Sequence, residues 1–313
     1  MPTKIILDTD PGIDDALAII LAINSPEIEL MGITTTYGNV EIEKAVRNTF
    51  RILNFLGRLD VPVYKGAYKP IIEEPHPIEA IHGSDGLGDV DIPAVDAELA
   101  GDAVEFMVET VERYPHEVTI VSIGPLTNLA LAILIEPEFS NKVGKIISMG
   151  GAFGLTPYGY GNDTPVAEFN IYSDPEAAKV VYDSGAEVYA IGLDVTNNPK
   201  AMISPEEREN IRVEGGRVGK LFYEMTRRLS KVSRGVHLHD PVAVSYAIDR
   251  EIFSFKKYRV TIELEGRYTR GQTILDRREE LPKFLRGTPN IYVAYDIDEE
   301  AFKRMMWDRV FSR

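Results

Sequence analysis

Between Asp8 and Asp15 the chain reads Asp8-Thr9-Asp10-Pro11-Gly12-Ile13-Asp14-Asp15, which places four carboxylates within one turn. Apolar runs flank it, Ile5-Ile6-Leu7 before and Ala16-Leu17-Ala18-Ile19-Ile20-Leu21 after, so the segment reads as a strand, a turn and a helix start. Four like charges in one turn repel, and a fold that keeps them needs a cation, a protonated partner or full solvation. Hard divalent cations such as calcium and magnesium take carboxylate oxygens, and open α/β sheets hold ligands at the C-terminal ends of their strands. The plainer reading is a solvated acidic turn, with Asp14 and Asp15 favoured at the positive end of a helix dipole.

Other residues that could do chemistry are scattered along the chain. Asn39 follows Tyr37-Gly38, a position where asparagine is a common turn former. His82 sits in the Gly-rich stretch Ile81-His82-Gly83-Ser84-Asp85-Gly86-Leu87-Gly88, and an isolated loop histidine often has no more than a surface role. Ala167-Glu168-Phe169-Asn170 reads as a strand-like piece, with Glu168 and Asn170 on one side by the two-residue period. His237-Leu238-His239-Asp240-Pro241 offers either a metal-binding pair or a loop leading into a helix from Val242 to Ile248.

The elements that must position these residues alternate. Ile28 to Thr36 reads as a second strand, and Ile42, Ala45, Val46, Thr49, Leu53 and Leu56 form one helical stripe. Val118 to Ile123 precedes Gly124-Pro125 and an apolar helix from Leu126 to Leu134. Ile146 to Met149 precedes Gly150-Gly151, and a helix from Pro175 to Ser184 precedes a strand from Glu187 to Leu193. Right-handed βαβ crossovers would bring these Gly-rich turns to one edge of an open, mostly parallel, Rossmann-like sheet flanked by helices, with the active site at the C-terminal strand ends. Two long loops, Tyr68 to Pro93 and Phe153 to Pro165, are of the kind that is functional or mobile in compact domains. Tyr258 to Leu264 and Tyr292 to Asp296 read as late strands, and Glu299 to Phe311 as a closing helix. With no linker, repeat or low-complexity tract, one α/β domain is expected over residues 1–313.

Composition narrows the chemistry. The charge is strongly acidic, 34 Lys and Arg against 49 Asp and Glu, which disfavours nucleic acid or an anionic membrane as the partner. There is no cysteine, so thiolate metal sites, disulfides and cysteine nucleophiles are excluded and Asp, Glu, Asn and His must carry any catalysis. The chain enters a strand almost at once, without the basic start and apolar core of a signal peptide, and no apolar run approaches the roughly 18 residues of a membrane span. A soluble, cytoplasmic protein is expected.

In their order and spacing these residues resemble the inosine-uridine-preferring nucleoside hydrolase family, from Lys4 to about Arg250, with a looser C-terminal third. The family's DxDPGxDDA stands as Asp8 to Ala16, TxxGN as Thr35 to Asn39, and the HG loop as His82-Gly83. GPLTN is Gly124 to Asn128, MGG is Met149 to Gly151, AEFN is Ala167 to Asn170, and HDP is His239 to Pro241.

The resemblance implies hydrolysis of the N-glycosidic bond of ribonucleosides to ribose and free base, with calcium as cofactor. The ion would be held by Asp10, both oxygens of Asp15, the backbone carbonyl of Ile123, where the family often has threonine, and Asp240. Asp10 would be the catalytic base that takes a proton from the attacking water, with inversion at C1′. Asp14 and Asn39 would hold the 2′- and 3′-hydroxyls, Asn162, Glu168 and Asn170 the 5′ side, and Met149 the adjoining substrate wall. His239 resembles the family's proposed general acid for the leaving base, His82 lines the same pocket, and Tyr223 supplies a base-side aromatic; the stretch Arg227-Arg228-Leu229-Ser230-Lys231 lacks a second tyrosine expected there.

His82 and His239 resemble the pyrimidine-preferring or broad branch, with uridine, cytidine and inosine as substrates and nucleoside salvage as the setting. A homo-oligomer, a tetramer or a dimer, is expected from the same resemblance. The alternatives are a purine-specific hydrolase, a non-catalytic ribose- or calcium-binding member, and an aspartate-nucleophile phosphatase. The last shares a DxD after the first strand but not Pro11-Gly12-Ile13-Asp14-Asp15.

Overall fold

A computed structural model of the protein describes residues 2–231, 233–278 and 280–312. Ile5, Ile6 and Leu7 lie in the first strand, β1 (Thr3–Thr9), and all three are buried because layers of helices cover both faces of the sheet. The following strands are β2 (Ile28–Thr35), β3 (Val63–Lys65), β4 (Gly101–Asp102), β5 (Val118–Ser122), β6 (Lys145–Met149), β7 (Val188–Ile191) and β8 (Phe253–Tyr258). They are followed by β9 (Val260–Ile262), β10 (Thr273–Leu275) and β11 (Ile291–Ile297). Nine of them form one sheet in the order β4-β3-β2-β1-β5-β6-β7-β11-β8, while β9 and β10 make a separate antiparallel ribbon. In the large sheet only the β11–β8 pair is antiparallel.

The chain runs outward from β1 through β2 to β4 on one side, then returns to start β5 on the other. The crevice between the C-terminal ends of β1 and β5 is therefore a topological switch point, the place where open α/β sheets bind ligands. The helix Ile13–Asn24 follows β1 directly and is buried along most of its length, from Asp15 through Ala22. It packs against the helix His239–Ile248, which brings two acidic segments from opposite ends of the chain to the same crevice.

The structure corrects three local readings. Ala167 makes only an isolated bridge to Gln272, and the next residues form the short helix Phe169–Ser173, not a strand. The Glu168 carboxylate caps that helix by accepting from the backbone N–H groups of Asn170 and Ile171, which holds the turn against the period-two alternation. The helix expected from Val242 begins at His239, because Pro241 falls in the first turn, where a missing N–H costs no internal bond. The expected strand from Tyr258 to Leu264 is split between β8, which pairs with β11, and β9, which pairs with β10. The closing helix Glu299–Met306 ends in a π-helical turn, Trp307–Phe311, and a short helix, Glu79–His82, interrupts the first long loop. Among the described residues no helix is long and apolar enough to cross a membrane.

Candidate functional site

A cavity of about 280 Å³ opens at the switch point. Of the residues expected there, Asp14, Asn39, His82, Ile123, Met149, Asn162, Glu168, Asn170, His239 and Asp240 line it. Asp10 and Asp15 lie at its base, fully buried at the end of β1 and the start of the following helix. Tyr223 is the exception, and its expected place in the base pocket is a correction. It sits on the helix Gly216–Met225 with its ring 3.8 Å beneath the Arg208 guanidinium and 5.4 Å from that of Arg212, while its carbonyl accepts from Arg208. Cation–π stacking thus holds the aromatic face that the base was expected to use.

Asp8 and Asp10 stand two residues apart, both buried, in opposite states. Asp8 accepts from Thr34 Oγ1 at 2.7 Å, Asn128 Nδ2 at 2.8 Å and Ser122 Oγ at 3.2 Å. Burial raises its carboxyl to about 6, and those three donors oppose the rise. Asp10 Oδ2 accepts from the backbone N–H of Asn39 at 2.6 Å, but Oδ1 has no hydrogen-bond partner among the described residues. Burial, then the charge of Asp15, holds the Asp10 carboxyl well above the usual range. Glycine lets the backbone close around it: a Cβ on Gly38 would stand 2.0 Å from Asp10 Oδ2, and one on Gly124 2.7 Å from Oδ1.

Asp15 is held from both sides. Its Oδ1 accepts from Thr9 Oγ1 at 2.6 Å and the Asp10 N–H at 3.3 Å, and its Oδ2 from the Gly12 N–H at 2.9 Å and Asn39 Nδ2 at 3.0 Å. One carboxylate oxygen each from Asp14, Asp15 and Asp240 lies within 4.8 Å of the others. Burial and these neighbouring charges push the carboxyls of both Asp15 and Asp240 upward. This tight trio includes Asp14, expected on the ribose, while Asp10 stands beside it. Ile123 lines the cavity, and its carbonyl accepts from Asn170 Nδ2 at 3.0 Å.

On the opposite side, Glu168 accepts three backbone N–H groups, from Gly151 at 3.0 Å, Asn170 at 2.9 Å and Ile171 at 3.1 Å. Burial outweighs those bonds and lifts its carboxyl to about 7. Asn170 Nδ2 also donates to the Met149 carbonyl at 3.1 Å, and Asn162 Oδ1 accepts from the Phe169 N–H at 2.9 Å. The Asn170 bonds tie the ends of β5 and β6 to the helix Phe169–Ser173, and the Asn162 bond ties that helix to the second long loop.

Three histidines share the remaining wall. His82 Nδ1 accepts from the Ile13 N–H at 3.1 Å, so the neutral ring carries its proton on Nε2; burial pushes its pKa down. His239 Nδ1 lies 2.8 Å from Thr196 Oγ1, and burial, then His237, pushes it down to about 3. His237, absent from the expected site, also lines the cavity and stacks on His239 with ring centroids 5.4 Å apart. Its two-residue spacing from His239 in an extended segment was a signal that could have found it. Ile78, Ile81, Leu229 and Val236 complete an apolar lining that nothing in local sequence marked. Arg228, in the arginine-rich stretch, donates to Asp89 at 2.6 Å and so ties Leu229 to the loop of His82.

Comparisons with known proteins follow this geometry. A family model described as inosine-uridine preferring nucleoside hydrolase matches residues 5–304. The chain is 40% identical to a pyrimidine-specific ribonucleoside hydrolase, RihA, of Salmonella typhimurium, with 99% of each chain covered. RihA of an Escherichia coli strain matches equally, at 40% identity and 99% of each chain. Among solved structures, a plant nucleoside hydrolase, PpNRh1, superposes with a TM-score of 0.92 at 33% identity over 100% of both chains. A purine-preferring ribonucleoside hydrolase from Gardnerella vaginalis superposes with a TM-score of 0.88 at 36% identity over 98% of both chains.

Proposed function

The chain belongs to the inosine-uridine preferring nucleoside hydrolase family and is a ribonucleoside hydrolase, and on that premise we propose that it is a calcium-dependent enzyme with pyrimidine ribonucleosides among its substrates. The observation that carries the cation is Asp10 Oδ1, a buried carboxylate oxygen without a partner among the described residues, close to the carboxylates of Asp14, Asp15 and Asp240. Such a group is costly to bury unless something positive meets it. The donors present fit a hard ion: Asp10, Asp15 and Asp240 with the Ile123 carbonyl, all oxygens. Asp15, which accepts four hydrogen bonds, one of them from the Asn39 amide, would share its oxygens between these donors and the ion. When bound, the ion neutralises the carboxylates and acidifies water in the site.

The chain's own residues divide the rest of the reaction. Asp10 takes the proton from the water that attacks C1′, and attack without a covalent intermediate inverts that carbon. Asp14 and Asn39 hold the 2′- and 3′-hydroxyls. Asn162, Glu168 and Asn170 grip the 5′ side, where an ionised Glu168 also stabilises the positive charge that develops on the sugar. His239, which burial keeps neutral in the cavity as it stands, would serve as the acid only once negative charge on the departing base draws a proton to its ring, and His82 supplies a hydrogen-bond donor from Nε2.

The base preference draws on the RihA relatives and on the lining itself, since no tryptophan lines the cavity among the described residues. The chain's one tryptophan, Trp307, packs near Phe311 in the closing turn. A purine preference is the second reading, favoured by the likeness to the Gardnerella vaginalis structure. A panel of uridine, cytidine, inosine, adenosine and guanosine, assayed for ribose release on wild type and His239→Ala, separates them. Cleavage of uridine or cytidine, impaired in the variant, is expected. Exclusive cleavage of adenosine and guanosine would reverse the base assignment, and no ribose from any substrate would leave a non-catalytic member.

We place the reaction in nucleoside salvage in the cytoplasm, in one domain over residues 1–313, and expect a homotetramer or dimer. Light scattering that returned the monomer mass of 34.9 kDa at micromolar concentration would end the last idea.

A further inference from the structure

Three histidines line one cavity, but the backbone holds two of them in opposite tautomers. His82 Nδ1 accepts the Ile13 N–H, so its remaining nitrogen is a donor. His237 Nδ1 lies 3.2 Å from the backbone carbonyl of Thr196. A carbonyl oxygen only accepts, so Nδ1 carries the proton, and Nε2 is left as a lone pair. Neither ring exchanges these roles without breaking its backbone bond. Stacking on His239 fixes the plane of His237 as well.

The short helix Leu193–Thr196, at the end of β7, is the part that sets this geometry. Asp194 anchors it on one side by accepting from the Phe153 and Thr156 N–H groups at 2.8 and 3.1 Å. On the other side the Thr196 carbonyl meets His237 while its hydroxyl meets His239. Beside these rings the lining is apolar, from Ile78, Ile81 and Val236, which suits the flat faces of a nucleobase. In that setting the polar atoms offered to a base edge are few, and a fixed acceptor and a fixed donor lining the same cavity select among edges.

We propose that His237 is a specificity-determining residue whose Nε2 accepts the ring N–H of a keto base, N3–H of uracil or N1–H of hypoxanthine. Such a base presents a ring N–H beside a carbonyl oxygen, the complement of the His237 acceptor and the His82 donor. The inference rests on the proposed ribonucleoside hydrolysis and deepens it by assigning a base contact.

The test is a substrate-by-variant cycle, with kcat/KM measured for uridine and 3-methyluridine on wild type, His237→Phe, His237→Gln and Thr196→Val. For a wild type that prefers purines, the pair is inosine and 1-methylinosine. Wild type is expected to favour the unmethylated substrate by on the order of tenfold or more. In His237→Phe, which keeps a ring of similar size but no acceptor, that ratio falls towards one. His237→Gln, whose amide oxygen accepts, retains part of it. Thr196→Val keeps the carbonyl that holds His237, so it lowers both rates together and leaves the ratio unchanged. A ratio that survives in His237→Phe would show a steric effect of the methyl group and overturn the proposal, as would a wild type indifferent to methylation. A wild type that releases ribose from no nucleoside overturns the proposed function itself, a result distinct from either.

Discussion

The floor and the wall of the cavity are built by different means. On the floor, Asp10 follows β1, Asp15 lies in the first turn of the next helix and Asp240 in the first turn of another, so each carboxylate is placed by a strand end or a helix start in the buried middle of the molecule. On the wall, His82 and Leu229 ride on long connections, and His237 and His239 are steadied by one residue of a four-residue helix. The floor can be rigid because the sheet fixes it, and the chemistry proposed for it would serve any ribonucleoside. The wall depends on contacts between loops, such as Arg228 with Asp89, and under the proposed function it is the part that would distinguish one base from another.

The largest effect expected from this division lies on the floor. If Asp14, Asn39 and the ion all grasp ribose hydroxyls, 2′-deoxyuridine leaves buried polar groups unpaired, and its kcat/KM should fall below that of uridine by on the order of 10⁴. Comparable efficiencies for the two would take the hydroxyls out of the floor. Next comes a contrast between Asp8 in β1 and Asp10 just after it. Asp10→Asn should keep the fold and lose about a hundredfold or more in kcat. Asp8→Asn, which disturbs a carboxylate with three donors of its own, should lower the melting temperature and spare the turnover of the folded fraction. Equal losses of turnover in both variants would erase the distinction between a structural and a chemical aspartate.

A smaller effect concerns stability. The raised carboxyls of Asp10, Asp15 and Asp240 mean that the folded, cation-free protein keeps protons the unfolded chain has already released. Its stability therefore falls as pH rises above the ordinary carboxylate range, and Glu168, lifted to about 7, extends that fall towards neutrality. A cation binds the ionised carboxylates, and at about a hundred times its Kd it would add about 2.7 kcal/mol. In chelator the melting temperature should drop between pH 5 and pH 8, and added calcium should shrink the drop. Identical slopes with and without calcium would count against an ion on the floor. The smallest effect belongs to Tyr223→Phe, which keeps the ring under Arg208; kcat/KM for uridine should stay within about twofold of wild type, since ordinary surface substitutions change little. A large rise in KM would return Tyr223 to the base pocket.

This difference between floor and wall also decided what could be read from sequence. The strand, the turn and the helix around Asp10 are local, two continuous apolar runs separated by a short acidic turn with Pro11-Gly12, and the structure follows them closely. The mostly parallel sheet followed from Gly-rich turns after apolar runs. What stayed hidden was set by tertiary contact. Glu168 turns an expected strand into a helix through a cap, Pro241 sits harmlessly in a first turn, and Tyr223 faces two arginines from a neighbouring helix. His237 was visible in its spacing, yet only the Thr196 carbonyl gives its ring a defined edge.

Ribose release from uridine tests most directly whether a cation is bound by the carboxylates beneath the ribose. Protein stripped with a chelator and passed into metal-free buffer should lose nearly all activity and regain it as calcium is added back, with Asp10→Asn failing to recover. Full hydrolysis of uridine in the stripped protein, unchanged by calcium, would contradict the account.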